Sequence, residues 1–157
     1  DHGYHLGEKG KWSKAYSLYE IGLRVPLIVA VPGAKKLASS RVVELVDLYP
    51  TLAEMCGLPK PERISGDSFG KLVKEPKAAW DKPAFAIVEY RQILGRSVRT
   101  AKWHYVEWGE GKEGRMLYAT EQDPHELKNL AEDPKHAATV AEMKKLIAAS
   151  PIAKKPL

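Results

Sequence analysis

Asp1-His2-Gly3-Tyr4-His5-Leu6-Gly7-Glu8-Lys9-Gly10-Lys11-Trp12-Ser13-Lys14 opens the chain, and the reading of everything after it turns on this stretch. It carries an acid and two histidines within five residues, then a cluster of lysines. Gly3, Gly7 and Gly10 punctuate it, as suits a backbone that wraps closely around an ion or an anion. Asp1 offers carboxylate oxygens to a cation and His2 offers a ring nitrogen. Lys9, Lys11 and Lys14 can answer a negative substrate group. Taken piece by piece, Asp-His-Gly is also an ordinary turn, and three close lysines are also an ordinary solvated surface.

The rest of the composition sets bounds. The 157 residues are enough for a domain with its own core. Hydrophobic residues make up 44% and charged residues 29%, which excludes a disordered chain. The net charge of +5 favours anionic partners only weakly. A single cysteine, Cys56, rules out an internal disulfide framework. No apolar run approaches the roughly 18–20 residues that span a bilayer. Neither a membrane span nor a nucleic-acid partner is expected.

Working outward, residues 1–14 read as a loop. Residues 15–23 read as a short helix with Leu18, Ile21 and Tyr19 inward. Leu27–Val31 is a continuous apolar run bounded by Pro26 and Pro32, the pattern of a strand buried on both faces of a parallel sheet. Arg41–Val46 reads as a further strand or an extended lead-in. Asp47 then caps a helix with Leu48, Leu52 and Met55 on one face, closed by Gly57. Cys56 reads as a buried residue near that helix end.

Residues 61–83, rich in Pro and Gly, form a linker with a helical turn around Phe69–Val73. Beyond it the period changes to short segments rich in β-branched and aromatic residues: 84–89, 96–101, 103–108 and 115–120, with a turn at 109–114. They predict an antiparallel meander with aromatics on both faces, one face meeting a helix and the other the large domain or substrate. His104 reads as a structural or surface residue. Asp133-Pro134 opens the covering helix, whose apolar stripe is Val140, Met143, Leu146 and Ile147.

The opening string resembles the sulfatase family of the alkaline-phosphatase superfamily, in its iduronate-2-sulfatase-like branch. That family's pattern is Asp-His-Gly-aromatic-x-Leu-Gly-Glu-x-Gly-x-Trp-x-Lys. Further motifs follow in the family's order: Arg24-Val25-Pro26-Leu27-Ile28-Val29, Val46-Asp47-Leu48-Tyr49-Pro50-Thr51, Gly95-Arg96-Ser97-Val98-Arg99-Thr100, and Leu117-Tyr118 through Asp123-Pro124 to Asn129-Leu130. The resemblance implies an α/β fold: the C-terminal part of an alkaline-phosphatase-like sandwich (residues 1–60), the linker 61–83, and a small α+β subdomain (84–157) with an antiparallel sheet and one terminal helix.

It also implies a sulfuric ester hydrolase acting on a sulfated carbohydrate of glycosaminoglycan type. Asp1 and His2 match calcium ligands. Lys14 matches the lysine that contacts the sulfate and the leaving oxygen. Tyr4 and His5 are candidates for lining the substrate pocket or for packing under the loop. The formylglycine nucleophile of the family arises within Cys (or Ser)-x-Pro-x-Arg, and no such motif occurs here; Cys56-Gly57-Leu58-Pro59-Lys60 does not fit it. The N-terminal portion of the same sulfatase is therefore the implied partner, and this chain alone is expected to be inactive. The implied compartment is periplasmic, secreted or lysosomal. Two alternatives stay open: a metal-dependent phosphatase or phosphonate hydrolase of the same superfamily, and a non-catalytic module that binds sulfated glycans.

Overall fold

The computed structural model describes residues 2–33, 36–60 and 62–150. The backbone gathers into two units: the residues up to Pro26 pack with the chain from Phe85 onward, and Leu27–Ala84 form the other.

The first unit is built on the four-stranded sheet that the alternation predicts. Its strands are β1 (Ala84–Tyr90), β2 (Ile93–Arg99), β3 (Trp103–Trp108) and β4 (Gly114–Ala119), in the order β1-β2-β3-β4. Arg91 and Gln92, both at positive φ, make the two-residue turn that folds β2 back onto β1. β2 pairs antiparallel with β3, Val98 opposite Tyr105, and β3 with β4, Tyr105 opposite Leu117. β2 starts three residues earlier than the sequence indicates, because Gly95 interrupts the run of large side chains.

The register sorts the side chains by face. Val98, Tyr105 and Leu117 lie on one face and meet α4 (Ala137–Ala149), which buries Val140, Met143 and Ile147 against them. Leu146 packs at the margin of this core. The helix begins as the Asp133-Pro134 pair indicates: the Asp133 carboxylate accepts the Lys135 N–H at 2.9 Å and caps a 3-10 turn that runs into α4. The other face carries Ser97, Arg99, His104, Val106 and Tyr118, and it too is covered, since Ser97, His104, Val106 and Tyr118 are all buried. Its cover is the chain's own opening segment. Leu18, 2% exposed, lies so close to Gly95 that a Cβ there would sit 2.8 Å from Leu18 Cδ1.

Within the second unit, α2 (Leu48–Met55) and α3 (Gly70–Lys74) pack together. Thr51 ties them: its hydroxyl donates to the Asp47 carbonyl at 2.6 Å and accepts the Phe69 N–H at 3.0 Å.

Several expectations are corrected here. Leu27–Val31 is not a buried strand: no strand pairs with it among the described residues, and Ile28 is 91% exposed. A buried parallel strand needs neighbours on both sides, and the described residues place none there. Of the two readings of Arg41–Val46, the strand does not form; Glu44 is extended and leads into a 3-10 turn at Leu45–Asp47. The helix expected over 15–23 shrinks to α1 (Glu20–Leu23), with Ile21 outward. In α2 the buried side is Pro50, Thr51 and Ala53, while Leu52 and Met55 face out. Cys56 is exposed, not buried. Gly57 does close α2, at φ +68. Asp47 precedes α2 but makes no side-chain cap there; its carboxylate accepts the Glu44 N–H at 2.9 Å and the Asp67 N–H at 2.8 Å.

Candidate active-site loop

The opening segment closes on itself as a small hairpin-like loop. The His5 N–H donates to the Ser13 carbonyl at 3.2 Å and the Gly7 N–H to the Lys11 carbonyl at 2.9 Å. Glu8–Gly10 form the 3-10 tip. Gly7 sits at φ +112 with the Trp12 ring against it; a Cβ would lie 3.1 Å from that ring, so both the backbone angle and the space favour glycine. Glu8 steadies the tip by accepting the Leu6 N–H at 2.6 Å. That bond and the backbone around Glu8 hold its carboxyl below the usual range.

Pairing residue 5 with residue 13 has a consequence for the candidate chemistry. The chain before His5 and the chain after Ser13 leave the loop at the same end. His2 and Tyr4 precede that end in the chain and Lys14 follows it. Asp1 lies outside the described residues. His2 is half-buried, with Nδ1 3.2 Å from the Gly3 carbonyl oxygen. Tyr4 is 66% exposed, and Lys14 is half-buried. His5 is buried: its Nε2 lies 2.7 Å from Ser17 Oγ, and the Tyr19 ring meets it edge-on.

Lys9 and Glu20 fix this loop to the sheet. The Lys9 ammonium lies 5.2 Å from the Tyr19 ring centroid and 5.9 Å from that of Tyr118, and it donates to the Glu126 carbonyl. The Glu20 N–H donates to Glu126 Oε2 at 2.9 Å, and Arg99 Nε donates to Glu20 Oε2 at 3.2 Å. Glu126 Oε1 in turn contacts His104 Nδ1. Glu20, half-buried, and the buried His104 and Glu126 thereby form a cluster whose donor atoms lie within 4.8 Å of one another, close enough to hold a metal ion. Burial, then Tyr19 and Glu126, push the Tyr118 hydroxyl's pKa upward.

Sequence reasoning read His104 as structural or surface; it is fully buried and paired. Glu20, Arg99 and Glu126 were not singled out. The only local signal was the Asp123-Pro124 turn, which presents Glu126 but does not say what it presents it to.

The family model described as N-sulphoglucosamine sulphohydrolase, C-terminal, matches residues 7–152. This chain belongs to the sulfatase family. Among sulfatase relatives, the Delta 4,5-hexuronate-2-O-sulfatase of Bacteroides thetaiotaomicron is 32% identical, over 94% of this chain and 32% of its own length. A solved 2-O GAG sulfatase superposes with a TM-score of 0.80 at 30% identity, covering 93% of this chain and 33% of that one. The phosphonate monoester hydrolase SpPMH from Silicibacter pomeroyi shares the fold, with a TM-score of 0.75 at 24% identity over 93% of this chain and 32% of that one. The chain spans about a third of the length of these proteins. The architecture is thus the alkaline-phosphatase-like sulfatase fold in its C-terminal part, α/β with an antiparallel sheet. No described helix is long and apolar enough to cross a membrane.

Proposed function

We propose that this chain supplies part of the metal and sulfate site of a sulfuric ester hydrolase acting on a sulfated carbohydrate. The observation that supports the reading is the loop closure at His5 and Ser13, since His2 precedes and Lys14 follows the closed end of that loop. Membership of the sulfatase family and the names of its relatives support the substrate class.

In this reading Asp1 and His2 hold a divalent cation. A carboxylate suits calcium, which prefers oxygen ligands, and an imidazole suits it less well. Such an ion, when bound, neutralises charge on the sulfate oxygens. Lys14 directs its side-chain nitrogen at the sulfate and the leaving oxygen, stabilising charge where it builds. Tyr4, well exposed beside the loop, lines the approach for substrate. His5 shapes that approach from beneath through its contact with Ser17. The formylglycine nucleophile comes from the N-terminal portion of the enzyme, so the chain alone is inactive. Residues 1–60 belong to the large domain, 61–83 to the linker and 84–157 to the small subdomain. The working compartment is periplasmic, secreted or lysosomal.

The test is Lys14→Ala and Lys14→Arg in the catalytically competent protein that contains this chain. Lys14→Ala should lower kcat/KM on a sulfated disaccharide by about 10²–10³-fold, the scale of one lost charge-stabilising donor. Binding of the same sugar should fall far less. Unchanged turnover with lost binding would favour a glycan-binding module instead. Faster cleavage of a phosphonate monoester than of the sulfate ester would move the assignment to the phosphonate hydrolases.

A further inference from the structure

Glu126 is in contact with both ends of the stretch that carries Lys14. Its carbonyl accepts from the Lys9 ammonium, 117 positions earlier, and its Oε2 accepts the Glu20 N–H, 106 positions earlier. Lys14 lies midway between those two attachments. Between them, the contact of His5 with Ser17 and the 3.4 Å hydrogen bond from the Tyr19 N–H to Ser17 Oγ leave little slack.

Glu126 is itself held firmly. It sits at φ +55 in the turn after β4, a left-handed conformation that a glutamate adopts only when its surroundings fix it. Asp123 builds that turn, accepting the Leu127 N–H at 2.9 Å and the Lys128 N–H at 2.8 Å, while the Glu126 N–H returns to the Asp123 carbonyl at 3.0 Å. His104, on the central strand β3 and fully buried, orients the carboxylate through Oε1. The donor atoms of the cluster are already engaged: Arg99 pairs with Glu20, and the Glu126 carboxylate accepts the Glu20 N–H and contacts the His104 ring. That engagement favours a structural clamp over a metal centre at this cluster.

We propose that Glu126, oriented by His104, is the positioning residue that sets the place of Lys14 by pinning the loop on both sides of it. This rests on the reading of Lys14 as the sulfate-facing residue. The small subdomain thus reaches the chemistry through a residue that touches no substrate, its carboxylate holding Glu20 and its carbonyl holding Lys9.

Two measurements test it separately. In the chain, Glu126→Ala removes the acceptor of the Glu20 N–H while the carbonyl still holds Lys9, so amide hydrogen exchange should speed by about tenfold or more at residues 15–20, the scale of one lost charged hydrogen bond. Exchange in the sheet core around Val98, Tyr105 and Leu117 should stay as it was. Lys9→Met should act in the same direction and serves if Glu126→Ala does not fold. Unchanged exchange at 15–20, or an equal rise everywhere, overturns the clamp whatever the enzyme does. So does stoichiometric Zn²⁺ or Mn²⁺ binding by the wild type that His104→Ala abolishes, since the cluster is then a metal site.

In the competent enzyme, Glu126→Ala should lower kcat/KM on the sulfated sugar, and Glu126→Gln should recover part of it. In a Lys14→Ala background, Glu126→Ala should have little further effect, because a residue acting through Lys14 has nothing left to position. Full additivity of the two substitutions overturns the positioning role. If the loop loosens as stated but Lys14→Ala leaves turnover intact, the clamp stands and the sulfatase assignment of Lys14 falls.

Discussion

Lys82 places its ammonium 2.5 Å from the carboxylate of Asp47, which is fully buried. Glu44 and Asp67 each approach the same ammonium to 3.4 Å. Burial alone would lower the pKa of Lys82; the Asp47 hydrogen bond and the three negative neighbours outweigh it and raise the pKa above 10.5. A raised folded-state value means this stabilisation is complete below pH 10.5 and lost as the pH rises through the folded value. Lys82→Met leaves the Asp47 charge with only its two backbone donors and should cost about 2 kcal/mol. Urea melts followed by tryptophan fluorescence will read it, since Trp80, one of four tryptophans, donates from Nε1 to the Val42 carbonyl at 2.6 Å in the same unit. Loss of less than about 0.5 kcal/mol would show that the backbone donors suffice.

Gly22 allows α1 to approach the His5–Ser17 contact. A Cβ at that position would lie 2.7 Å from Ser17 Oγ and 3.1 Å from His5 Nε2. Gly22→Ala should therefore destabilise by about 1–3 kcal/mol despite alanine's better helix propensity. Adding Ser17→Ala, which removes the hydroxyl that clashes, should recover part of the loss. Thermal melts of the two single variants and the double variant decide the point; simple additivity would mean the crowding lies elsewhere.

Met143 is 1% exposed and packs in the cluster formed by Val98, Tyr105, Leu117 and Ile147. Met143→Ala should cost about 2–4 kcal/mol through lost burial and the cavity left behind. Leu52, although equally apolar, is exposed on α2, and Leu52→Ala should be within about 0.5 kcal/mol of neutral. Chemical denaturation of the pair contrasts a core position with an exposed one.

The acid limb of stability should report Asp123. Burial pushes its pKa up, but the Leu127 and Lys128 N–H donors outweigh this and hold it below 3.8. A depressed folded value means the stabilisation is present above 3.8 and lost as the pH falls through the folded value. Asp123→Asn should flatten that limb and, by loosening the turn, speed exchange at Leu127 and Lys128. An acid melting profile that the substitution leaves unchanged would remove Asp123 from the account.

The alkaline limb should report Tyr118 as well. Burial raises its pKa above 10.0, so its contribution holds below pH 10 and fades as the pH rises towards the folded value. Tyr118→Phe keeps the ring against Tyr19 and Lys9 and should change stability at neutral pH by less than about 1 kcal/mol while softening the alkaline loss. Melting temperature against pH for both proteins checks this.

How much was legible in the sequence follows the range of the forces involved. The meander of 84–120 and the stripe Val140, Met143, Ile147 could be read because period and turn chemistry are local. Gly57 and Asp133-Pro134 marked helix ends for the same reason. Leu27–Val31 and the Leu48–Leu52–Met55 face were misread in their burial. Their apolar patterns state what should be covered but not whether this chain supplies the cover. Cys56 followed the same error.

The opening motif by itself determined the family resemblance, and that resemblance implied Asp1, His2 and Lys14 as the residues to examine. What only the tertiary structure decided is the support of that loop: the second sheet face closing over Leu18, and Glu126 joining Lys9, Glu20 and His104. Those partners lie 117, 106 and 22 positions from Glu126. No local pattern encodes a contact at such separations. It exists because the strand register turns His104 towards the same face that the opening segment covers, and a buried carboxylate there must find donors wherever the fold provides them.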